Sequence, residues 1–165
     1  MSDNPNDPRN REVLRPPDDL FDANLKTPIN SSGFTMALIN SLPAYRRGIT
    51  PFRRGLEVGM AHGYWLLGPF VTFNPLRNTD VTNIVGLLST IGLLVISTIL
   101  ISLYGYSDPP APTSTLTTPR PPAELASSEG WNEYGSGFLI GGIGGAIFAY
   151  FLLANFSAIQ ALLNG

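Results

Sequence analysis

The sequence predicts an all-α membrane protein with three transmembrane helices and an extended N-terminal segment on the cytoplasmic side. Only 13% of the 165 residues are charged, about half the ~25% of an ordinary soluble domain. Residues 58–76, 81–107 and 134–165 contain no Asp, Glu, Lys or Arg, in runs of 19, 27 and 32 residues, and a helix crosses a bilayer with about 20 apolar residues. Eight of the ten Lys and Arg fall in residues 1–54, with Arg46, Arg47, Arg53 and Arg54 just before the first run. Basic residues flanking a span hold that end in the cytoplasm. The N-terminus is therefore expected there, and the C-terminus, after three spans, on the opposite side.

Residues 1–50 form the N-terminal segment; their first 33 or so residues are rich in Pro, Asn and Asp, a composition expected to be disordered until a partner orders it. The first span is placed at 51–73, with Thr50 as the capping hydroxyl and Pro51 at the first helical position, where its missing N–H costs nothing. Pro69 predicts a bend or an early stop near Gly68. A short connection, 74–83, leads to the second span, 84–104, whose only polar residues are Ser, Thr and the terminal Tyr. Residues 105–134 return to the N-terminal side and hold six prolines between 109 and 122, which predicts an extended, polyproline-like connection unable to pack as a domain. The third span is 135–154, followed by a tail, 155–165, that either continues the helix or turns along the membrane.

Composition excludes several function classes. With no cysteine and one histidine, His62, a single copy makes no thiolate zinc site, iron–sulfur cluster, disulfide framework or two-histidine metal site. A formal charge of −2 argues against nucleic-acid binding. The first thirty residues hold no apolar block after a basic stretch, so no cleaved signal is expected. No catalytic Ser/His/Asp arrangement and no phosphate-cradling loop are present, which argues against an enzyme. No inverted repeat suggests a transporter. A water-soluble bundle would need polar helix faces that residues 84–104 lack.

Candidate chemistry is concentrated on the first span, where Glu57 and His62 lie in GLEVGMAHGYWLLGPF. A charged acid at the centre of a span costs at least about 2.5 kcal/mol, so an intramembrane ionisable group needs a partner. Five residues of helix separate the two by about 140° around the axis and about 7.5 Å of rise. They point to different sides and suit two separate metal centres better than one. A flat tetrapyrrole, which leaves the protein one axial position on its metal, fits that arrangement. The structural alternatives are an ion pair of Glu57 with Arg53 or Arg54, and a hydrogen bond from His62 to a neighbouring helix. Gly137, Gly141, Gly145 and Ala149 make a smooth face on the third span, a seam for close helix packing within the chain or between copies. Asp80, near Arg77, is either half of a hinge ion pair or a weak divalent-cation ligand. A cofactor-free membrane anchor or assembly subunit is the competing reading for the whole chain.

The run LPAYRRGITPFRRGLEVGMAHGYWLLGPF, then NPLR, GLLSTIGLL and EGWNEYGSGFLIGGIGGAIFAYFL, closely resembles the photosystem I reaction centre subunit XI (L subunit) family of cyanobacterial type, in order over roughly residues 25–160. The resemblance implies a multi-pass subunit of the cyanobacterial thylakoid membrane, with a cytoplasmic (stromal) N-terminus and a lumenal C-terminus. It implies chlorophyll a, with Glu57 and His62 as axial ligands to magnesium, together with beta-carotene and membrane lipids. It also implies contact with other photosystem I subunits and with the same subunit of neighbouring monomers, in a trimer or tetramer. The Pro-rich DPPAPTSTLTTPRPP and the ending LLNG depart from compact trimer-forming members and lean toward a tetramer.

Overall fold

A computed structural model describes residues 25–164, in which every regular element is helical. The chain divides into two compact units. One consists, within the described residues, of 25–47 together with Thr113–Pro122; the other of Gly48–Pro112 with 123–164. The expectation that residues 1–24 are disordered lies outside the described residues.

In the first unit the expected extended segment is broken by two short helices, α1 (Pro28–Ser31) and α2 (Gly33–Ser41). Local chemistry accounts for both. The Asn30 N–H donates to Thr27 Oγ1 (3.3 Å) and the Thr27 N–H to Asn30 Oδ1 (2.8 Å), closing a capping box in front of Pro28. Ser32 caps α2 by accepting from the Thr35 N–H at 3.1 Å. The Pro-rich segment packs here, contrary to expectation. Asn40 Nδ2 donates to Thr117 O (2.8 Å), and Thr117 Oγ1 donates to Asn30 O (3.0 Å). A tight turn supports these bonds, the Thr118 N–H reaching Thr115 Oγ1 at 3.0 Å and the Thr115 N–H reaching Thr118 O at 3.1 Å. Proline removes donors but leaves carbonyl acceptors, and the interleaved threonines supply hydroxyls.

The second unit is built from α3 (Pro51–Phe73), α4 (Thr82–Tyr106), α5 (Ser128–Ala154) and a short α6 (Phe156–Leu163). α3 has the bounds read from the sequence and runs through Pro69 without stopping. α4 is two residues longer at each end than expected, and α5 starts seven residues earlier. A charge-free run locates the apolar stretch, whereas α5 is set by Ser127, whose hydroxyl accepts from the Gly130 N–H at 3.1 Å. The tail stays helical after a break at Asn155, whose N–H and side-chain amide both donate to Phe151 O, at 3.1 and 2.8 Å.

Packing gives the helix directions. Moving along α3 from Gly55 to Gly59 to Gly63, the opposing backbone advances along α5 from Tyr134 to Phe138 to Gly142, so these two helices are parallel. Along α5 from Trp131 to Gly135 to Gly142, the facing residues of α4 recede from Gly105 to Ile101 to Leu94, so α4 is antiparallel to α5. Leu67, Leu94 and Thr90 are fully buried. Leu67 and Leu87 pack with Ala146 and Ala149, and the Thr90 hydroxyl is satisfied by Gly86 O at 2.8 Å. Among the described residues, α4 and α5 are long and apolar enough to cross a membrane. α3 has 23 residues but carries Arg53, Arg54, Glu57 and His62.

The α3–α4 connection is held by Asn74, which is 7% exposed. Its amide donates to Phe70 O (2.8 Å) and Val71 O (2.9 Å), and its Oδ1 accepts from the Leu76 N–H (2.8 Å). Asn74→Ala is expected to destabilise the chain by about 1–3 kcal/mol, the cost of stranding buried polar groups. Asn78→Ala, at an exposed position of the same connection, is expected to change little. Thermal unfolding followed by circular dichroism compares the two, and equal midpoints would remove the role assigned to Asn74.

Candidate cofactor site

His62 lies on α3 one residue before Gly63, which meets Gly142 near the middle of α5. Its Nδ1 is 2.8 Å from Val58 O. A carbonyl oxygen only accepts, so Nδ1 carries the proton and Nε2 is the nitrogen left to face another partner. The sequence alternative was a hydrogen bond to a neighbouring helix. The bond is instead made to the preceding turn of α3, and the contact with α5 is aromatic: the rings of His62 and Phe138 meet edge-on, centroids 5.5 Å apart at 61°. The residue is exposed on the flank of the helix pair.

Glu57 lies nearer the start of α3, two residues beyond Gly55, which faces Tyr134. Arg53 Nε donates to Glu57 Oε1 at 3.1 Å, with the two side chains 64% and 27% exposed. The ion pair that the sequence offered as an alternative is therefore formed, with the residue one turn back. Such i,i+4 pairs contribute about 0.2–0.5 kcal/mol. The structure does not bring Glu57 and His62 together into one donor set. Among the described residues, no three His, Asp or Glu side chains converge on a common point. Asp80 is exposed on the 74–81 connection and belongs to no such cluster.

The small-residue face is placed inside the chain. A Cβ on Gly137, Gly141 or Gly145 would run into the carbonyl oxygens of Phe52, Leu56 and Met60 on α3, while Ala149 lies in the core beside Leu67. The facing half was missed in the sequence: Gly55, Gly59 and Gly63 oppose the carbonyls of Tyr134, Phe138 and Gly142 in the same way. Its signal was the four-residue glycine spacing in GLEVGMAHG. Each helix thus offers glycine hydrogens to the carbonyls of the other, a contact only glycine permits and one that weak Cα–H···O bonds favour.

At the α4–α5 end an aromatic group gathers. Trp131 meets Tyr104 and Tyr134 edge-on at 5.0 and 5.8 Å, and its Nε1 donates to Leu125 O at 2.8 Å. The indole N–H thus has its partner, and the rings hold the first turns of α5 against the end of α4. The sequence reading gave these residues no role.

Comparison with known proteins bears on the whole chain. The family model described as Photosystem I reaction centre subunit XI matches residues 12–158. A relative from Mastigocladus laminosus named Photosystem I reaction center subunit XI is 57% identical over 162 residues, spanning 98% of this chain and 94% of its own. Proteins of the same name are 59% identical over 134 residues in Synechococcus elongatus, spanning 80% of this chain and 81% of their own, and 48% identical over 146 residues in Gracilaria tenuistipitata var. liui, spanning 87% and 91%. On this match along nearly all of its length, the chain belongs to the photosystem I reaction centre subunit XI family.

Proposed function

We propose that this chain is a chlorophyll-binding structural subunit of photosystem I in the thylakoid membrane, with no catalytic activity of its own. The observation that carries the reading is His62, an imidazole level with the middle of α5 whose Nδ1–H is committed to Val58 O, which reserves Nε2 as a donor atom. His62 Nε2 would hold the magnesium of a chlorophyll, for which a single histidine suffices where a bare metal ion would want a cluster of donors. Glu57, its charge offset by Arg53, is the second donor in this reading, on another side of the helix. The chemistry such a group supplies is light absorption and through-space transfer of excitation. The chain contributes the donor atoms, their spacing and an apolar surround. Beta-carotene and lipid belong on the exposed apolar faces, where Trp65 and Phe148 are 74% and 56% exposed.

In the same reading α3 is the third span. It runs parallel and in register with α5 from Phe52 to Gly63, and a helix packed this closely along a membrane-crossing neighbour shares its depth. The basic cluster at Arg46, Arg47, Arg53 and Arg54 supports a cytoplasmic N-terminus and, with three spans, a lumenal C-terminus. Association with neighbouring monomers, as trimer or tetramer, uses surfaces other than the glycine face, which is consumed inside the chain.

Because the chain has no cysteine, single cysteines report topology cleanly. In thylakoid vesicles, a membrane-impermeant maleimide is expected to label Ser41→Cys and Asn78→Cys from opposite sides. Labelling from the same side would remove α3 from the membrane. A purified assembly whose spectrum shows chlorophyll bands, one of them depending on this chain, supports the pigment reading; an unchanged spectrum after removal of the chain ends it.

A further inference from the structure

We propose that Phe138 is a positioning residue for His62, which the glycine seam delivers from α5 and which fixes the plane of the imidazole before any ligand arrives. The inference rests on the reading of His62 as a chlorophyll ligand and extends it to a residue on a second helix. The Nδ1 bond to Val58 O decides which nitrogen carries the proton, but a histidine ring rocks in a broad well about its terminal torsion. One hydrogen bond leaves that motion open, and a second contact at another point on the ring is needed to close it.

Phe138 makes that contact, with ring centroids 5.5 Å apart and an edge-on geometry at 61°. Phe138 is itself held: it is 6% exposed, its carbonyl faces Gly59, and its amide nitrogen lies 2.9 Å from where a Cβ on Gly55 would stand. The glycines on both sides bring the α5 backbone close enough for this ring to meet a side chain on the flank of α3. A larger residue in the seam would move Phe138 away from His62. The effect on a bound pigment is one of orientation and site energy, since Phe138 supplies no donor atom.

The test uses the single histidine of the chain. With 15N-labelled histidine and the full chain in lipid nanodiscs, the native ring is expected to show a protonated Nδ1, a bare Nε2 and a large residual shift anisotropy. Phe138→Met, which keeps an apolar side chain of similar reach but removes the ring, is expected to retain that tautomer and reduce the anisotropy. Phe138→Tyr, which keeps the ring edge, is expected to restore it. An anisotropy unchanged in Phe138→Met overturns the proposal. In assembled photosystem I, Phe138→Met is expected to retain the pigment complement while shifting and broadening one low-temperature absorption band, and His62→Leu to lose that band. If His62→Leu changes nothing, the ligand reading falls, and this proposal with it. If His62→Leu loses the band while Phe138→Met leaves both spectrum and anisotropy unchanged, only the positioning role falls.

Discussion

Gly59→Leu is expected to separate α3 from α5 and abolish incorporation of the chain into its assembly. A Cβ at Gly59 collides with the Phe138 carbonyl and stands 2.9 Å from the amide nitrogen of Gly142, both of them backbone atoms that cannot swing aside. Even Gly59→Ala must push the helices apart, at a cost of about 1–3 kcal/mol by analogy with overpacked cores. Leucine adds three further carbons at the same point and breaks the neighbouring contacts of Gly55, Gly63, Gly137, Gly141 and Gly145, because the two backbones move as rigid rods. Gly144 is the control. It lies on the same helix as half of the seam, yet a Cβ there meets nothing within 4 Å, so Gly144→Ala is expected to be neutral or to stabilise by up to about 1 kcal/mol through the improved helix propensity. Unfolding midpoints of the chain in detergent, and the amount of subunit retained by the purified assembly, measure both. Similar behaviour of Gly59→Ala and Gly144→Ala would show that close backbone approach is not what holds this pair.

His62→Leu is expected to remove one chlorophyll per chain, while leaving the helices in place. Leucine fills a comparable volume on an exposed flank and has no donor atom. The variant chain should therefore be at least as stable as the native one, and the loss should appear in the pigment count and in the absorption difference spectrum. Glu57→Gln is the informative companion. If the carboxylate serves protein partners alone, the substitution weakens its ion pair with Arg53, worth about 0.5 kcal/mol, and costs no pigment. If it is also a magnesium donor, a neutral amide oxygen binds more weakly and a second band shifts or fades. A native pigment count in His62→Leu would reject the assignment of the histidine.

Helix positions were largely legible because their cause is local. Thr50-Pro51 set the start of α3, and the charge-free runs located α4 and the apolar part of α5. The errors lie where a side chain overrides composition. Ser127 starts α5 among charged residues that a hydropathy reading discards, and Thr27 with Asn30 builds a turn in a segment whose composition suggests none. Six prolines predict an extended, polyproline-like connection, yet the threonines between them bond far along the chain, Thr117 reaching Asn30 and Asn40 across 87 and 77 residues.

By itself, the sequence determined which stretches are apolar, where the positive charge lies, and that the only imidazole sits on the first long helix at His62. Those are properties of composition and of spacing along the chain, and the family match rests on the order of residues over 12–158. The tertiary structure decided that Gly137, Gly141 and Gly145 meet α3 within the chain, that Gly55, Gly59 and Gly63 are the matching half, and that Phe138 lands on His62. A glycine every four residues makes a smooth face but does not name its partner. That choice depends on the register between helices some eighty residues apart in the chain, and register is fixed only when carbonyl and glycine meet along the whole seam.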